Sequence, residues 1–370
     1  MRMNLVWCAT ALLVASVSAQ AEILIGQTSG FSGTVAATVN EAHYGAMLYI
    51  SEVNKKGGVH GEQIRLISLD DKFEPALAKE NARRLIVEDH VTALFMTRGT
   101  PHTEGILPLL AEYEVPLIAP STGAMSLHQP VNKWVYNVRA PYQREAEKAV
   151  RHLLSMGADR IAVVRVDDNF GKDAVQGVQK ALAGRAKGPV IDVQFNREKW
   201  DFTEISRKVV ASEAQAVVFI GSGKAVVDGI TAIRAQGSAA QIVTLSNNAS
   251  AGFVAALKGN GPGTIITQVF PSERSLATPI AREASSLAAA SSEHVALTPA
   301  MLEGFASAKV LVAGLERAGT HPTGAKLQQA LDGLKHLDLG GLEIDYSPVH
   351  HTGLEFVDLS IVSVDGTLRR

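Results

Sequence analysis

Short apolar runs of strand length alternate with longer helix-patterned stretches, and the alternation starts again after Pro141. This rhythm constrains the fold more than any other feature of the chain. Ile23–Gly26 reads as a strand, and Ala36–Val53 as a helix with Ala42, Met47, Leu48 and Ile50 on its apolar side. Ile64–Leu69 is a second strand, followed by a helix over Pro75–Glu88 with proline in its first turn. Val91–Met96, Pro101–Glu112 and Pro116–Ala119 continue the pattern. After Pro141, Glu145–Met156 and Gly171–Ala183 read as helices. Ile161–Val166, Val190–Phe195, Ala216–Ile220 and Gln241–Leu245 read as strands. The strand runs are apolar almost throughout, the pattern of parallel strands covered on both faces. Two successive α/β units are therefore predicted, near 22–140 and 141–267. Residues 268–340, with a helix over Pro299–Ala318, are expected to return to the first unit. Residues 341–370, with a strand pattern over Leu354–Val362, are expected to return to the second.

The length of 370 residues suits two domains of ordinary size. A hydrophobic content of 46% excludes a disordered chain. A net charge of −2, with no basic run of five or more residues, gives no general attraction to nucleic acid or acidic lipid. Residues 1–21 have the form of a secretory signal: Arg2, an apolar stretch over Leu5–Val17, then Ala19-Gln20-Ala21 as a small-x-small cleavage site. Cleavage after Ala21 would remove Cys8, the one cysteine. The mature chain would then hold no disulfide, thiolate nucleophile or cysteine metal site.

Ligands of open parallel sheets bind beyond the carboxyl ends of the strands. The loops predicted there are Thr28–Thr34, Thr97–Pro101, Pro120–Ala124, Asp167–Gly171, Gly221–Lys224 and Ser246–Ser250, rich in Ser, Thr, Gly and Asn. Such residues cap helices everywhere; six such loops in two units suggest a cleft. Arg98 stands out, because a guanidinium there can pair bidentately with a carboxylate. Phe31 and Phe170, one in each unit, are candidates to enclose an apolar ligand body. Other motifs fail. Gly223-Lys224 is followed by Ala225, and Val218 stands where a phosphate-binding loop needs glycine. No G-x-S-x-G elbow is present. His350 and His351 are adjacent and face opposite ways on a strand. Asp70-Asp71 and Asp167-Asp168 end strands, where acids usually cap the next helix.

Several segments taken together resemble type I periplasmic binding proteins of branched-chain amino acid transporters. They are ILIGQTSGFSG (Ile23–Gly33), ISEVNKKGGVHGEQIRLISLDD (Ile50–Asp71), PALAKENARRLI (Pro75–Ile86), VPLIAPSTGA (Val115–Ala124) and DDNFG (Asp167–Gly171). Leu302–Gly319 and Leu339–Gly353 are similar to the late helix and tail. The resemblance implies an α/β fold of two Rossmann-like lobes with parallel sheets, joined by three hinge strands. It implies a periplasmic monomer that captures a small molecule by hinge closure and passes it to an ABC permease, without cofactor, metal or catalysis of its own. By that likeness the ligand's charged end lies on Arg98, Gly99, Thr100, Ser121, Thr122 and Gly123. The second lobe closes on it with Phe170, Ser222 and Asn247; Ser29, Phe31 and Tyr142 complete the candidate set. Amino-acid binders carry an acid in the loop that here reads LSNNAS, Leu245–Ser250. Its absence points to a carboxylate- or amide-bearing ligand as readily as to an amino acid. An enzyme, an amide or urea carrier, and a soluble sensor acting on a separate membrane receptor are the competing readings.

Overall fold

The computed structural model describes residues 22–183, 188–291 and 294–370; the expected signal segment lies outside them. Five strands, β1 (Glu22–Ser29), β2 (Gln63–Asp70), β3 (Ala93–Phe95), β4 (Leu117–Ile118) and β5 (Val135–Tyr136), form one parallel sheet in the order β2-β1-β3-β4-β5. A second sheet holds β6 (Ile161–Val166), β7 (Ile191–Phe195), β8 (Ala216–Ile220), β9 (Gln241–Thr244) and β10 (Ile265–Gln268), all parallel. After a short hairpin, β11 (Leu337–Asp338) and β12 (Glu343–Ile344), the chain adds β13 (Asp358–Val362) and β14 (Leu368–Arg369) to that sheet as antiparallel strands. Central strands such as β8, AVVFI, are buried at every residue, so helices must cover both faces.

Two lobes result. The first carries helices α1 (Ala36–Lys55), α2 (Pro75–Val87) and α3 (Thr100–Tyr113); the second carries α4 (Tyr142–Ser155), α5 (Asn169–Leu182), α6 (Thr203–Ala211), α7 (Lys224–Ala235) and α8 (Ala251–Leu257). Three late helices, α9 (Pro279–Ala290), α10 (Pro299–Ala318) and α11 (Gly324–Asp332), follow β10. Leu302, Phe305 and Leu311 of α10 pack in the first lobe's core with Ile25, Phe95 and Tyr136. Ile280 and Ala284 of α9 and Leu327 and Leu331 of α11 lie in the same core. The tail departs from expectation. Ile344, Tyr346 and Leu354 belong to the first lobe's core, and pairing with the second sheet begins only at Asp358. The lobe boundary falls near 355 rather than 341, because the β11–β12 hairpin buries its apolar residues against α9, α10 and α11.

The chain crosses between lobes near 137–141, 268–270 and 354–358. The first and third crossings run side by side: Asn137 N–H donates to the His351 carbonyl at 2.9 Å, and Leu354 N–H to Val138 at 3.0 Å. Tyr346 Oη adds a bond to the Asn137 carbonyl at 2.6 Å. His351 is buried against Tyr136 while His350 is exposed, the opposite facing expected of neighbours on an extended strand.

Helices α1 and α10 meet backbone to backbone. A Cβ at Gly304 would lie 1.8 Å from the Ala42 carbonyl oxygen, and one at Gly45 would lie 1.9 Å from that of Met301. Two rigid main chains offer nothing that can move aside. Gly304→Ala is expected to cost about 1–3 kcal/mol through overpacking. Urea unfolding measures this, and an unchanged midpoint would contradict the packing described.

Candidate functional site

Arg98 follows β3 and is set by the glycine after it. Gly99 has φ 92°, and a Cβ there would lie 2.6 Å from His102 Nδ1, so only glycine turns the chain into α3 at this point. His102 stacks on Phe73 at 4.4 Å, and burial pushes its pKa down to about 4. The turn aims Arg98 across the cleft. Its Nη1 donates to Ser121 Oγ at 3.1 Å, and its Nη2 donates to the Asn247 carbonyl in the other lobe at 2.5 Å.

The expected residues gather into two groups. Arg98, Ser121 and Asn247 form one, extended by Ser222, whose Oγ accepts from Asn247 Nδ2 at 2.9 Å. Thr100 and Thr122 join their hydroxyls at 2.8 Å beside it, and Gly123 accepts from Tyr142 N–H at 2.7 Å. Ser29 Oγ donates to the Met96 carbonyl at 2.8 Å. The second group is aromatic: Tyr142 and Phe170 lie with ring centres 4.6 Å apart in the second lobe. Phe31 joins neither. It packs with Val35, Val39 and Phe73 and meets His43 edge-on at 5.4 Å. Phe31 and Phe170 thus lie in separate clusters, Phe170 within the second lobe's own core.

Three charged residues that sequence reasoning passed over lie at the centre. Arg139, on the first crossing, is 1% exposed and pairs with Glu145 of α4, which is 0% exposed. Arg139 Nη2 also donates to Ser246 Oγ at 2.6 Å. Glu145 Oε2 accepts from Ser246 N–H at 2.9 Å and from Thr267 Oγ1 at 2.5 Å. Glu303 of α10, 7% exposed, accepts from Ser121 Oγ at 2.9 Å, and the same oxygen lies 3.9 Å from Arg139 Nη1. Burial alone would lower the Arg139 pKa; Glu145, with Tyr142 and Glu303, outweighs it and holds the guanidinium above its usual range. Arg98 is pulled the other way by burial. Asn247 and Asn248, by contrast, brace their own loop through the Gly221 carbonyl.

The lobes are closed on this site. Thr38 Oγ1 meets Ser250 Oγ at 2.9 Å, and Glu41 accepts from the N–H groups of Ala251 and Gly252 at 3.0 and 2.9 Å. A Cβ at Gly223 would sit 1.8 Å from the Thr34 carbonyl oxygen, and one at Gly252 would sit 2.6 Å from Ala37 Cβ. Beside Arg98, Ser121 and Ser29 remains a cavity of only about 10 Å³. A larger groove of about 380 Å³, lined by Val35, Lys224 and Phe253, lies along the lobe seam away from these groups. The small cavity is bordered by Arg98 and by Ser121, which Glu303 reaches from α10. Elsewhere the acid pairs behave as caps: Asp168 caps α5 through Phe170 and Gly171 N–H, and Asp70 binds Ser32.

This geometry matches known proteins. The pattern of the periplasmic binding protein family covers residues 22–366. The chain belongs to that family. This binding protein is 28% identical over 322 residues to the Leu/Ile/Val-binding protein BraC3 of Rhizobium johnstonii, covering 84% of each chain. Its fold superposes on a substrate-binding periplasmic protein from Ralstonia solanacearum with TM-score 0.87 and 29% identity, covering 94% of this chain and 99% of that one. A possible leucine/isoleucine/valine-binding protein from Rhodopirellula baltica gives TM-score 0.88 at 22% identity, with 95% and 97% covered. The two lobes with parallel sheets are thus those of the type I periplasmic binding fold. Among the described residues, no helix is long and apolar enough to cross a membrane.

Two outcomes follow from the buried charges. Glu145→Ala strips Arg139 of its main partner and is expected to cost about 3–5 kcal/mol. Replacing both residues by Met should recover most of that loss, as measured by urea unfolding. Asp71, buried under Thr28, has its pKa pushed up to about 6 by desolvation. The folded state therefore holds a proton that the unfolded state releases near pH 4, and this contribution to stability declines as pH rises from about 4 to about 6. Asp71→Asn should remove that decline, so the variant gains on the wild type between pH 4 and pH 7 in the same assay.

Proposed function

We propose that this protein captures a small molecule in the interlobe cleft and delivers it to an ABC permease, acting in the periplasm after removal of residues 1–21. Capture, not chemistry, is the role. The observation that carries the reading is the Arg98–Asn247 bond, which runs from the first lobe to the second through the candidate site. The groups that would hold a ligand are the groups that meet when the lobes meet. Ligand binding and hinge closure are then one event.

Ser121, Thr122, Thr100 and Ser222 supply hydroxyls, and the amides of Gly99 and Gly123 line the same floor. With about 10 Å³ left in the closed form, the lobes part to admit the ligand and Arg98 releases Asn247. The names of the relatives, which refer to leucine, isoleucine and valine, make amino acids of branched apolar side chain the first compounds to try. Amides and aliphatic carboxylates of the same size come next.

A thermal-shift screen over those three classes tests the proposal. A true ligand at 100 times its dissociation constant adds about 2.7 kcal/mol of stability, a clear rise in melting temperature. No rise with any class would sink the reading. Arg98→Met should then weaken the hit at least tenfold by titration calorimetry, because the variant loses the contact that joins the lobes.

A further inference from the structure

Among the described residues, three metal-ligating side chains bring their donor atoms within 4.8 Å of one another at one place, the β11–β12 hairpin. The atoms are His336 Nδ1 and one carboxylate oxygen each from Glu343 and Asp345. The register of the hairpin puts them there. Leu337 pairs with Ile344 and Asp338 with Glu343, so His336 falls opposite Asp345 and diagonal to Glu343. Glu343 and Asp345 share a face because side chains alternate along a strand. Ile344 and Tyr346, on the other face, are fully buried in the first lobe's core and anchor the hairpin. The His336 N–H donates to Asp345 Oδ1 at 2.8 Å, which holds the two strand ends in line. His336 Nδ1 lies 2.6 Å from Glu343 Oε1 and 3.9 Å from Asp345 Oδ1. A tetrahedral zinc centre with bonds of about 2.1 Å spaces its donors about 3.4 Å apart. The two distances fall on either side of that value. The side chains of His336, Glu343 and Asp345 are 80%, 57% and 40% exposed, so small rotations can bring the donors to it.

We propose that His336, Glu343 and Asp345 bind a divalent first-row transition ion, Zn²⁺ or Cu²⁺ best of all, with water completing its coordination. An imidazole beside two carboxylates is a donor set for such ions, whereas Ca²⁺ and Mg²⁺ prefer oxygen alone. The two carboxylates offset the charge of the ion; Lys335, whose charge acts on both His336 and Asp345, is the opposing cation. The metal replaces the proton between His336 Nδ1 and Glu343, and the imidazole keeps its proton on Nε2. The hairpin belongs to the first lobe, and none of the three donors is among the groups gathered at Arg98. The site is therefore independent of capture. Its effect is structural: the ion staples β11 to β12 just before Tyr346, whose Oη holds the first crossing at the Asn137 carbonyl.

The test uses the protein expressed without an affinity tag and freed of metal by a chelator. Titration calorimetry with ZnCl₂ should show one site, and CaCl₂ and MgCl₂ should bind at least tenfold more weakly. The electron paramagnetic resonance spectrum of the Cu²⁺ form should show coupling to one imidazole nitrogen. His336→Ala should weaken Zn²⁺ at least tenfold and remove that coupling, and Glu343→Gln should weaken Zn²⁺ by a similar factor. All three donors are exposed, so each variant should match the metal-free wild type in melting temperature; Zn²⁺ should raise the melting temperature of the wild type alone. His321→Ala is the control. His321 is another exposed histidine, but it meets a single acid, Glu62, at 3.4 Å, and its loss should leave Zn²⁺ binding unchanged. Absence of a Zn²⁺ site in the wild type overturns the inference, and so does a site unchanged by His336→Ala or by Glu343→Gln. A loss in His321→Ala equal to that in His336→Ala also overturns it, since binding would then follow surface histidine in general.

Discussion

A guanidinium without water needs a carboxylate, and the Arg139–Glu145 pair is where this fold meets that demand. Arg139 lies on a crossing between lobes, and Glu145 lies one turn into the first helix of the second lobe. Their bond fixes the angle at which the chain leaves the first sheet and enters α4. The pair then reaches outward. Glu145 holds the start of the Ser246–Asn248 loop through Ser246, and Thr267 ties it to the second crossing. The aromatic floor of Tyr142 lies against the Arg139 guanidinium at 4.7 Å. Loop, crossing and floor all take their positions from one buried ion pair. Such a pair adds little net stability, since desolvation offsets most of its attraction, but removing one partner alone is ruinous.

The same pair connects the lobes' two cores, which otherwise pack separately. The first lobe's core runs from β1 through α10 to Leu354, and the second from Tyr142 to Ile266 with Val362. Around Arg98 the groups between them are polar: Ser121, Ser222, Asn247 and Glu303. Around the site that division suits the proposed opening, because parting the lobes there exposes hydrogen-bonding surface that water can satisfy and leaves both apolar cores closed.

Much of the fold is legible in the residues. Strands such as Ile161–Val166 and Ala216–Ile220 announce themselves because both of their faces are buried, and α2 and α10 start at Pro75 and Pro299 because proline suits a first helical turn. β5 was missed: two residues, Val135 and Tyr136, show no period. The tail was assigned to the wrong lobe over 341–354, since chain order does not say which core a hairpin will cover. In the site, the loops carrying Arg98, Ser121 and Asn247 could be placed from their positions after strands. Arg139, Glu145 and Glu303 could not, because charged residues in helices and crossings are ordinarily solvated. The one signal was positional. Glu145 stands beside Ala146 on the same buried face as Tyr142 and Ala149, and Glu303 is framed by Leu302 and Phe305, so both sit where a helix would be expected to carry an apolar side chain.

The seam at Thr34–Gly223 and Ala37–Gly252 has a mechanical meaning. At these two points the main chain of one lobe rests on the other with no long side chain between them, so there is little soft material there to compress. In the proposed cycle, closure would end at a hard stop. A bulkier or slimmer guest would change how often the clamp shuts, and the shape it shuts into would stay the same. Under the proposed capture cycle, a membrane partner that feels the outside of the molecule would receive a two-valued signal, open or shut, that reports occupancy and is blind to which guest is inside.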